Sequence, residues 1–494
     1  MKKRQYKRGI DREQGFLLPP SVEEYVGEDN PVRAIDSYIE SLDLIQMGFK
    51  HADGTVQCGQ PAYHPRIHLK LYLYGYLNRV RSSRRLEAEC KRNLEVMWLL
   101  QGQRPSYKTI ADFRKDNPEA LKAVNRDFVQ VCKELELYGA ELVGIDGSFM
   151  RGNVGKENIY TGERLKRSLA CIDADIARYM QEMEEGDQQE RDIDQGDSKL
   201  SEKLEQLCQR KQKRIGQLAQ LEASGEKQIA EVDEDARLLK KHGRTVAGYN
   251  VQVAADSKNK LIVAAEAIQD GNDEWQIAPM GKVAKEVLGV EGLTTSQDQG
   301  YFNVQQIKDC IENGITPYVP EPNKQAQARK AGRFLREDFH YDPQANVYRC
   351  PNGKELKLST NQHRGEKLIY CYRSSVPICA QCPLRKQCLH GKTPCRTISR
   401  WEHEALIEDH RQRMVENGPE MMRQRAAICE HIFGTLKQWC GWTHFLLRGL
   451  EKVRAELSLL MLSYNFKRVL NIFGLAAFRA YCLARQLQLS GRQA

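Results

Sequence analysis

Apolar residues recur along this chain at two different periods, and the change of period divides it. Over residues 1–138 the period is helical. PVRAIDSYIESLDL reads as an amphipathic helix opened by Pro31, whose missing N–H costs nothing in a first turn. Ser21, after a Pro-Pro break, is placed to cap a turn ahead of Glu23 and Glu24. HPRIHLKLYLYGYLNRVRSSRRLEAECKRNLEVMWLL starts aromatic and aliphatic, then turns basic at Arg79, Arg81, Arg84 and Arg85. PSYKTIADFRKDNPEALKAVNRDFVQVCKEL predicts two more helices, split near Asn117-Pro118. At Leu142 the pattern becomes that of a buried strand: Leu142, Val143, Gly144 and Ile145, closed by Asp146 and broken by Gly147.

From 161 to 245 the chain is polar and charged, with an acidic run, MQEMEEGDQQERDIDQGD. A helical stripe follows through Leu200, Leu204, Leu207, Ile215 and Leu218, and predicts a helical hairpin inserted into the sheet region. The strand pattern then resumes. AGYNVQVAADSKNKLIVAAEAI predicts two strands turning at 256–260, with Val251, Val253, Ile262 and Ala264 inward. A helix is expected over 273–289, a short strand ending at Asp298, a helix closed by Gly314, and the strand ITPYVPEP. A second insertion spans 323–398, and the long helical stretch QRAAICEHIFGTLKQW lies beyond it. The expected class is therefore α/β, a mixed sheet with two insertions. Its segments are 1–138 helical, 139–160 and 246–322 core, 161–245 and 323–398 insertions, 399–473 the closing part of the core, and 474–494 a tail.

Composition narrows the function. A chain of 494 residues can bury a large core. Its formal charge of +9 suits a polyanionic partner without demanding one. No 18-residue apolar run predicts a membrane span, and the basic start MKKRQYKRGIDREQGF lacks the apolar stretch of a secretory signal. A cytoplasmic protein is expected. Fifteen cysteines then suggest metal ligands or buried thiols rather than disulfides. They cluster in the second insertion: Cys350, Cys379, Cys382 and Cys388 form a plausible four-thiolate structural Zn2+ site, with Cys371, Cys395 and His390 as substitutes. Cys90, Cys132, Cys171, Cys208 and Cys310 are expected to be buried thiols.

The acids decide more. Asp146 ends the first strand, Asp298 the fourth, and Glu430 lies on the last core helix, in a polar row with Arg423 and Lys437 seven residues to either side. A sheet carrying acids in this order can gather three carboxylates, which bind hard divalent cations through oxygen. Tyr301, beside the second acid, is expected to be a packing residue.

At these motifs the chain resembles a bacterial insertion-sequence transposase of the DDE type, with a ribonuclease-H-like core. The resemblance is carried by SRRLEAECKRN and MWLL, GYNVQVAAD, DQGYFN, CEHIFGTLKQW, and RGLEKVRAE with LSYNFKR. It implies that Asp146, Asp298 and Glu430 hold two Mg2+ ions, or Mn2+. Glu430 and Lys437 match the spacing of the family's C-terminal signature. Ala426 stands where the signature has Arg, and Arg423 where it has Tyr. The implied partners are double-stranded DNA, as the element's terminal inverted repeats and a target, and a second copy in a synaptic complex on the nucleoid. Lys437, Arg423, Arg425, Arg81, Arg84, Arg85 and Arg448 are the candidate DNA contacts. A catalytically silent DNA-binding derivative and a nuclease that cuts without joining are the competing readings.

Overall fold

The computed structural model describes residues 21–54, 61–187, 196–241, 243–323, 326–365, 367–439 and 441–493. The basic start, part of the acidic run, Cys58 and Cys440 lie outside the described residues. Ser21 caps a single 3-10 turn, Val22–Tyr25, in a capping box with Glu24. Six helices follow: α1 (Val32–Glu40), α2 (Pro65–Leu77), α3 (Ser83–Arg92), α4 (Leu94–Leu99), α5 (Tyr107–Asp116) and α6 (Pro118–Glu134). Strand β1 (Leu142–Arg151) opens the sheet region.

The first insertion is β2 (Ile159–Thr161), the helices α7 (Gly162–Asp187) and α8 (Gly196–Ser224), and β3 (Gln228–Ala230), which closes on β2. Its own core is small, built on Tyr160, Leu165 and Leu221. One expectation is corrected here: Cys171 and Cys208 are exposed rather than buried, as is Ile215 of the helical stripe, at 46%. Two packed helices bury only one stripe each, so positions off that stripe meet solvent.

The main sheet then assembles from β4 (Arg237–Lys241), β5 (Arg244–Asp256), β6 (Ile262–Ile268), α9 (Ile277–Leu288), β7 (Leu293–Ser296), α10 (Val304–Glu312) and β8 (Ile315–Tyr318). Its order is β4-β5-β1-β7-β8, with β6 also paired to β5. β1–β7 and β7–β8 are parallel; β5 runs antiparallel to β1, β4 and β6. The class is thus mixed α/β, as the pattern indicated. β4 was not foreseen: RLLKK has no clean alternation, and β5 begins three residues before the predicted strand. Gly289 and Gly314 end their helices at φ 71° and 70°, a backbone conformation that glycine adopts at no steric cost.

The second insertion contains α11 (Ala326–Lys330), β9 (His340–Asp342), β10 (Val347–Arg349), β11 (Glu355–Arg364), β12 (Lys367–Arg373), α12 (Val376–Ala380), α13 (Arg385–Cys388) and β13 (Thr397–Trp401). Its five strands form a separate sheet around Phe339, Tyr348, Leu356, Tyr372 and Ile398. The long helix α14 (Glu404–Gly434) crosses back to the main sheet and ends in a π-helical turn, Thr435–Trp439.

Helix α15 (Leu450–Phe473) carries the expected stripe Leu457, Leu460, Met461 and Tyr464, all buried. It shares one continuous core with the front helices, the sheet and α16 (Leu475–Gln493). Tyr38, Phe128, Phe466 and Phe478, from α1, α6, α15 and α16, meet at ring separations of 5.1 to 6.4 Å. Such pairs contribute about 1 kcal/mol each beyond the area they bury. Glu456 of α15 is fully buried, and its Oε2 accepts the N–H groups of Leu446 and Leu447 at 2.9 Å, with Arg81 and Arg114 3.8 and 4.0 Å from its Oε1. The front helices are therefore locked to the segment that follows α14.

Candidate active site

The parallel pairing of β1 with β7 builds the site. Gly144 lies opposite Ser296. Asp146 and Asp298 each stand two residues further on, at one level across adjacent segments; β1 does not end at Asp146 or break at Gly147, as expected, but runs on to Arg151 through its pairing with β5. β7 itself stops at Ser296, two residues short of the predicted end, and Asp298 instead caps a short turn by accepting the Gly300 N–H at 2.8 Å. Asp146 accepts the Gly147 N–H at 2.8 Å. Helix α14 lies directly over this ledge. A Cβ on Gly144 would sit 2.9 Å from Cys429 Sγ and 3.0 Å from Ile428 Cγ2, so the close approach requires glycine.

Arg425 joins the two acids. Its Nη2 is 2.8 Å from Asp146 Oδ2 and 3.9 Å from Asp298 Oδ2. Burial raises the Asp146 pKa; Arg425 and the Gly147 N–H pull it back, and Asp298 adds to the rise. Lys437 donates to Ser148 Oγ on β1. Burial lowers the Lys437 pKa, while Asp146 opposes the shift and Lys241 reinforces it.

Glu430 behaves differently. It is exposed and makes no ion pair among the described residues. The predicted row of Arg423, Glu430 and Lys437 is not observed. The α-helical ladder ends at Gly434, and the π turn changes the phase before Lys437. Arg423 pairs instead with Glu420 at 2.6 Å. Of the three expected acids the structure brings two together.

The other candidates also separate. Arg81 faces inward, 11% exposed, donating to the His444 carbonyl at 3.0 Å and lying beside Glu456. It is a tie within the fold. Arg85 and Arg448 are exposed; Arg84 is exposed too, its guanidinium 5.3 Å from the Tyr107 ring centre. Tyr301 is fully buried, with its hydroxyl donating to Gln252 Oε1, and packs as expected.

In the second insertion, burial raises the Cys388 thiol pKa, Arg396 opposes the shift, and Cys379, Cys350 and Cys382 each add to the rise, so these three thiols lie within electrostatic reach of Cys388. Cys395 receives an Arg373 hydrogen bond at 2.9 Å, Cys371 lies against Gln362 and Ser399, and His390 is exposed. Among the described residues, no group of three or more His, Cys, Asp or Glu side chains is gathered closely enough to hold a metal ion.

Sequence reasoning missed one part of the site. Asp273, 4% exposed, accepts from Asn250 at 2.8 Å, Gln252 at 2.7 Å and Lys241 at 2.9 Å. The available signal was NVQ: two amides at alternate positions in an otherwise apolar strand, both fully buried.

Two family models match the chain. A transposase domain (DUF772) matches residues 20–116, and a transposase DDE domain matches residues 349–470. By these two matches the chain is similar to transposases, and in its C-terminal part to those of the DDE type, the class its motifs led one to expect. The DDE match includes Glu430 and Lys437 but neither Asp146 nor Asp298. No curated protein matches the chain. A piggyBac transposase synaptic complex with hairpin DNA, solved by cryo-EM, aligns over 94% of this chain and 81% of its own at 8% identity and a TM-score of 0.30. That likeness is too slight to carry an argument. Among the described residues, no helix is long and apolar enough to cross a membrane.

Proposed function

We propose that this chain is a transposase that cuts DNA at the ends of its own element and joins the freed 3′ hydroxyls to target DNA, on a ribonuclease-H-like core, with Asp146, Asp298 and Glu430 as cation ligands. The observation that carries the reading is the placement of Asp146, within β1, beside Asp298, just past β7, with the cationic group of Arg425 reaching both. Two carboxylates supply the oxygen donors that a hard divalent ion, Mg2+ or Mn2+, takes, and such an ion would replace Arg425 as their counter-charge. Such ions, when bound, activate the attacking oxygen and stabilise the leaving one.

The chain's own residues do the rest. Water oxygen attacks the phosphorus, the bond to the 3′ oxygen breaks, and a 3′ hydroxyl and a 5′ phosphate remain. That hydroxyl then attacks a target phosphodiester in line, and no electrons change hands. The burial of Asp146 makes charge–charge interactions stronger there than in bulk water. Lys437, Arg423 and Arg425 of the acid helix contact DNA phosphates, as do Arg84, Arg85 and Arg448. Glu430 joins the pair by reorientation of its exposed side chain or of the last turns of α14. The substrate is double-stranded DNA, and two copies act in a synaptic complex. Cys350, Cys379, Cys382 and Cys388 would hold a structural Zn2+ ion after closing further around it; the electrostatic reach of the first three to Cys388 supports this.

Incubating the protein with a duplex bearing the element's ends, with Mg2+ or with EDTA, tests the reading. Metal-dependent cutting with strand transfer is expected. Binding without cutting would favour a silent derivative, and cutting without joining a simple nuclease. Asp146→Ala, Asp298→Ala and Glu430→Ala should each abolish cutting and leave DNA binding intact.

A further inference from the structure

We propose that Lys241 is a further catalytic residue, a cation that contacts the phosphate being cut, and that Asp273 is the positioning residue that holds it. The proposal rests on the reading of Asp146 and Asp298 as the cutting site.

Asp273 is wedged between the two acid-bearing segments. A Cβ on Gly147, next to Asp146, would come 2.7 Å from Asp273 Oδ1 and 2.4 Å from Gln252 Nε2. A Cβ on Gly300, two residues past Asp298, would lie 4.0 Å from Asp273 Oδ2. One carboxylate oxygen accepts from Asn250 and Gln252, and the other from Lys241. Gln252 is fixed in turn by the buried Tyr301 hydroxyl. The chain thus builds a rigid polar bracket beneath the acid ledge and ends it on an ammonium group.

A buried acid is costly unless paired, and a purely structural bracket would be served by a neutral amide. Here the acid holds a lysine that is not itself buried: its side chain is 37% exposed. An ammonium has three donors, so its bond to Asp273 leaves others for a ligand. Burial alone would lower the Lys241 pKa, but Asp273, Asp298 and Asp146 together raise it, which ties the group to both acids of the ledge. In phosphoryl transfer, charge spreads over the non-bridging oxygens, and a cation fixed in advance at that place stabilises the transition state without reorganisation.

Two measurements test this. In single turnover with saturating DNA and Mg2+, Lys241→Ala should cut about 10²-fold more slowly, with DNA affinity changed by less than about threefold. Lys241→Arg should recover part of the rate, and Asp273→Asn combined with Lys241→Ala should be no slower than Lys241→Ala alone. Without DNA, removing a like charge beside the acids should tighten Mn2+ binding about fivefold in Lys241→Ala, read by calorimetry. A merely structural lysine would not make the metal bind better and the reaction slower. Cutting within about threefold of the parent, or unchanged Mn2+ affinity, would overturn the proposal. A parent that does not cut at all would defeat the functional reading, and the Mn2+ measurement would then decide the role of Lys241 by itself.

Discussion

The seat of the acid helix on the sheet is a single glycine, and adding one methyl group there should disturb catalysis as well as stability. In Gly144→Ala the new Cβ would stand 2.9 Å from Cys429 Sγ, 3.0 Å from Ile428 Cγ2 and 3.2 Å from Ile428 Cβ. Ordinary contact begins near 3.4 Å, so α14 must rise by roughly 0.5 Å. Overpacking of this kind costs about 1–3 kcal/mol, a fall of several degrees in melting temperature. The same rise lifts Arg425 off Asp146 and carries Glu430 with it. A displacement of about 1 Å costs on the order of 10²-fold in rate, so half of that should cost about tenfold. The assay is cutting of an end-bearing duplex, with melting temperature and DNA affinity measured alongside. Cys429→Ala removes the nearest obstacle, and the double variant should recover part of the rate, with a coupling of about 1 kcal/mol. A Gly144→Ala protein with parental melting and parental rate, or purely additive effects in the double variant, would refute the seat.

Other outcomes follow from separate parts of the fold. His68 is buried with both ring nitrogens unpartnered and stacks on Phe113 at 4.7 Å. Burial depresses its pKa to about 4, so its contribution to stability is complete above about pH 6.5 and is lost as pH falls toward 4, by up to about 3 kcal/mol. In urea titrations His68→Phe should lose that acid-side slope, and a parental slope in the variant would clear His68. Arg151 and Arg448 line one basic cavity with His444 at the far end of β1. If that cavity takes a phosphate, replacing either arginine should reduce the salt slope of DNA binding by about one. Metal analysis of purified protein should find one zinc per chain, lost on Cys379→Ser or Cys382→Ser, and a zinc-free, fully folded parent would remove the site.

β1 and β5 announced themselves because their burial is two-sided: LVGI and VQVAA leave little choice of partner. The two aspartates were legible as acids closing apolar runs, with a glycine one or two residues on, although β1 continues past Asp146 to Arg151 and Asp298 lies two residues beyond β7. Residues set by tertiary contacts were not legible. Arg81 sits in a basic run yet turns inward, because Glu456, some 375 positions away, must be neutralised. Asp273 lies in a polar loop, and nothing local separates it from a solvated aspartate. The phase of Lys437 was lost because a π turn cannot be read from helical spacing.

Helix α15 has a mechanical consequence. It is packed by the front helices on one side and by the sheet on the other, with Asn465 hydrogen-bonded to both the amide and the carbonyl of Ile262. It acts as a strut, and whatever the front helices grip is held at a fixed offset from the acid ledge. The molecule then works as a ruler as well as a blade: moving the gripped sequence along the duplex should move the cut by the same number of base pairs.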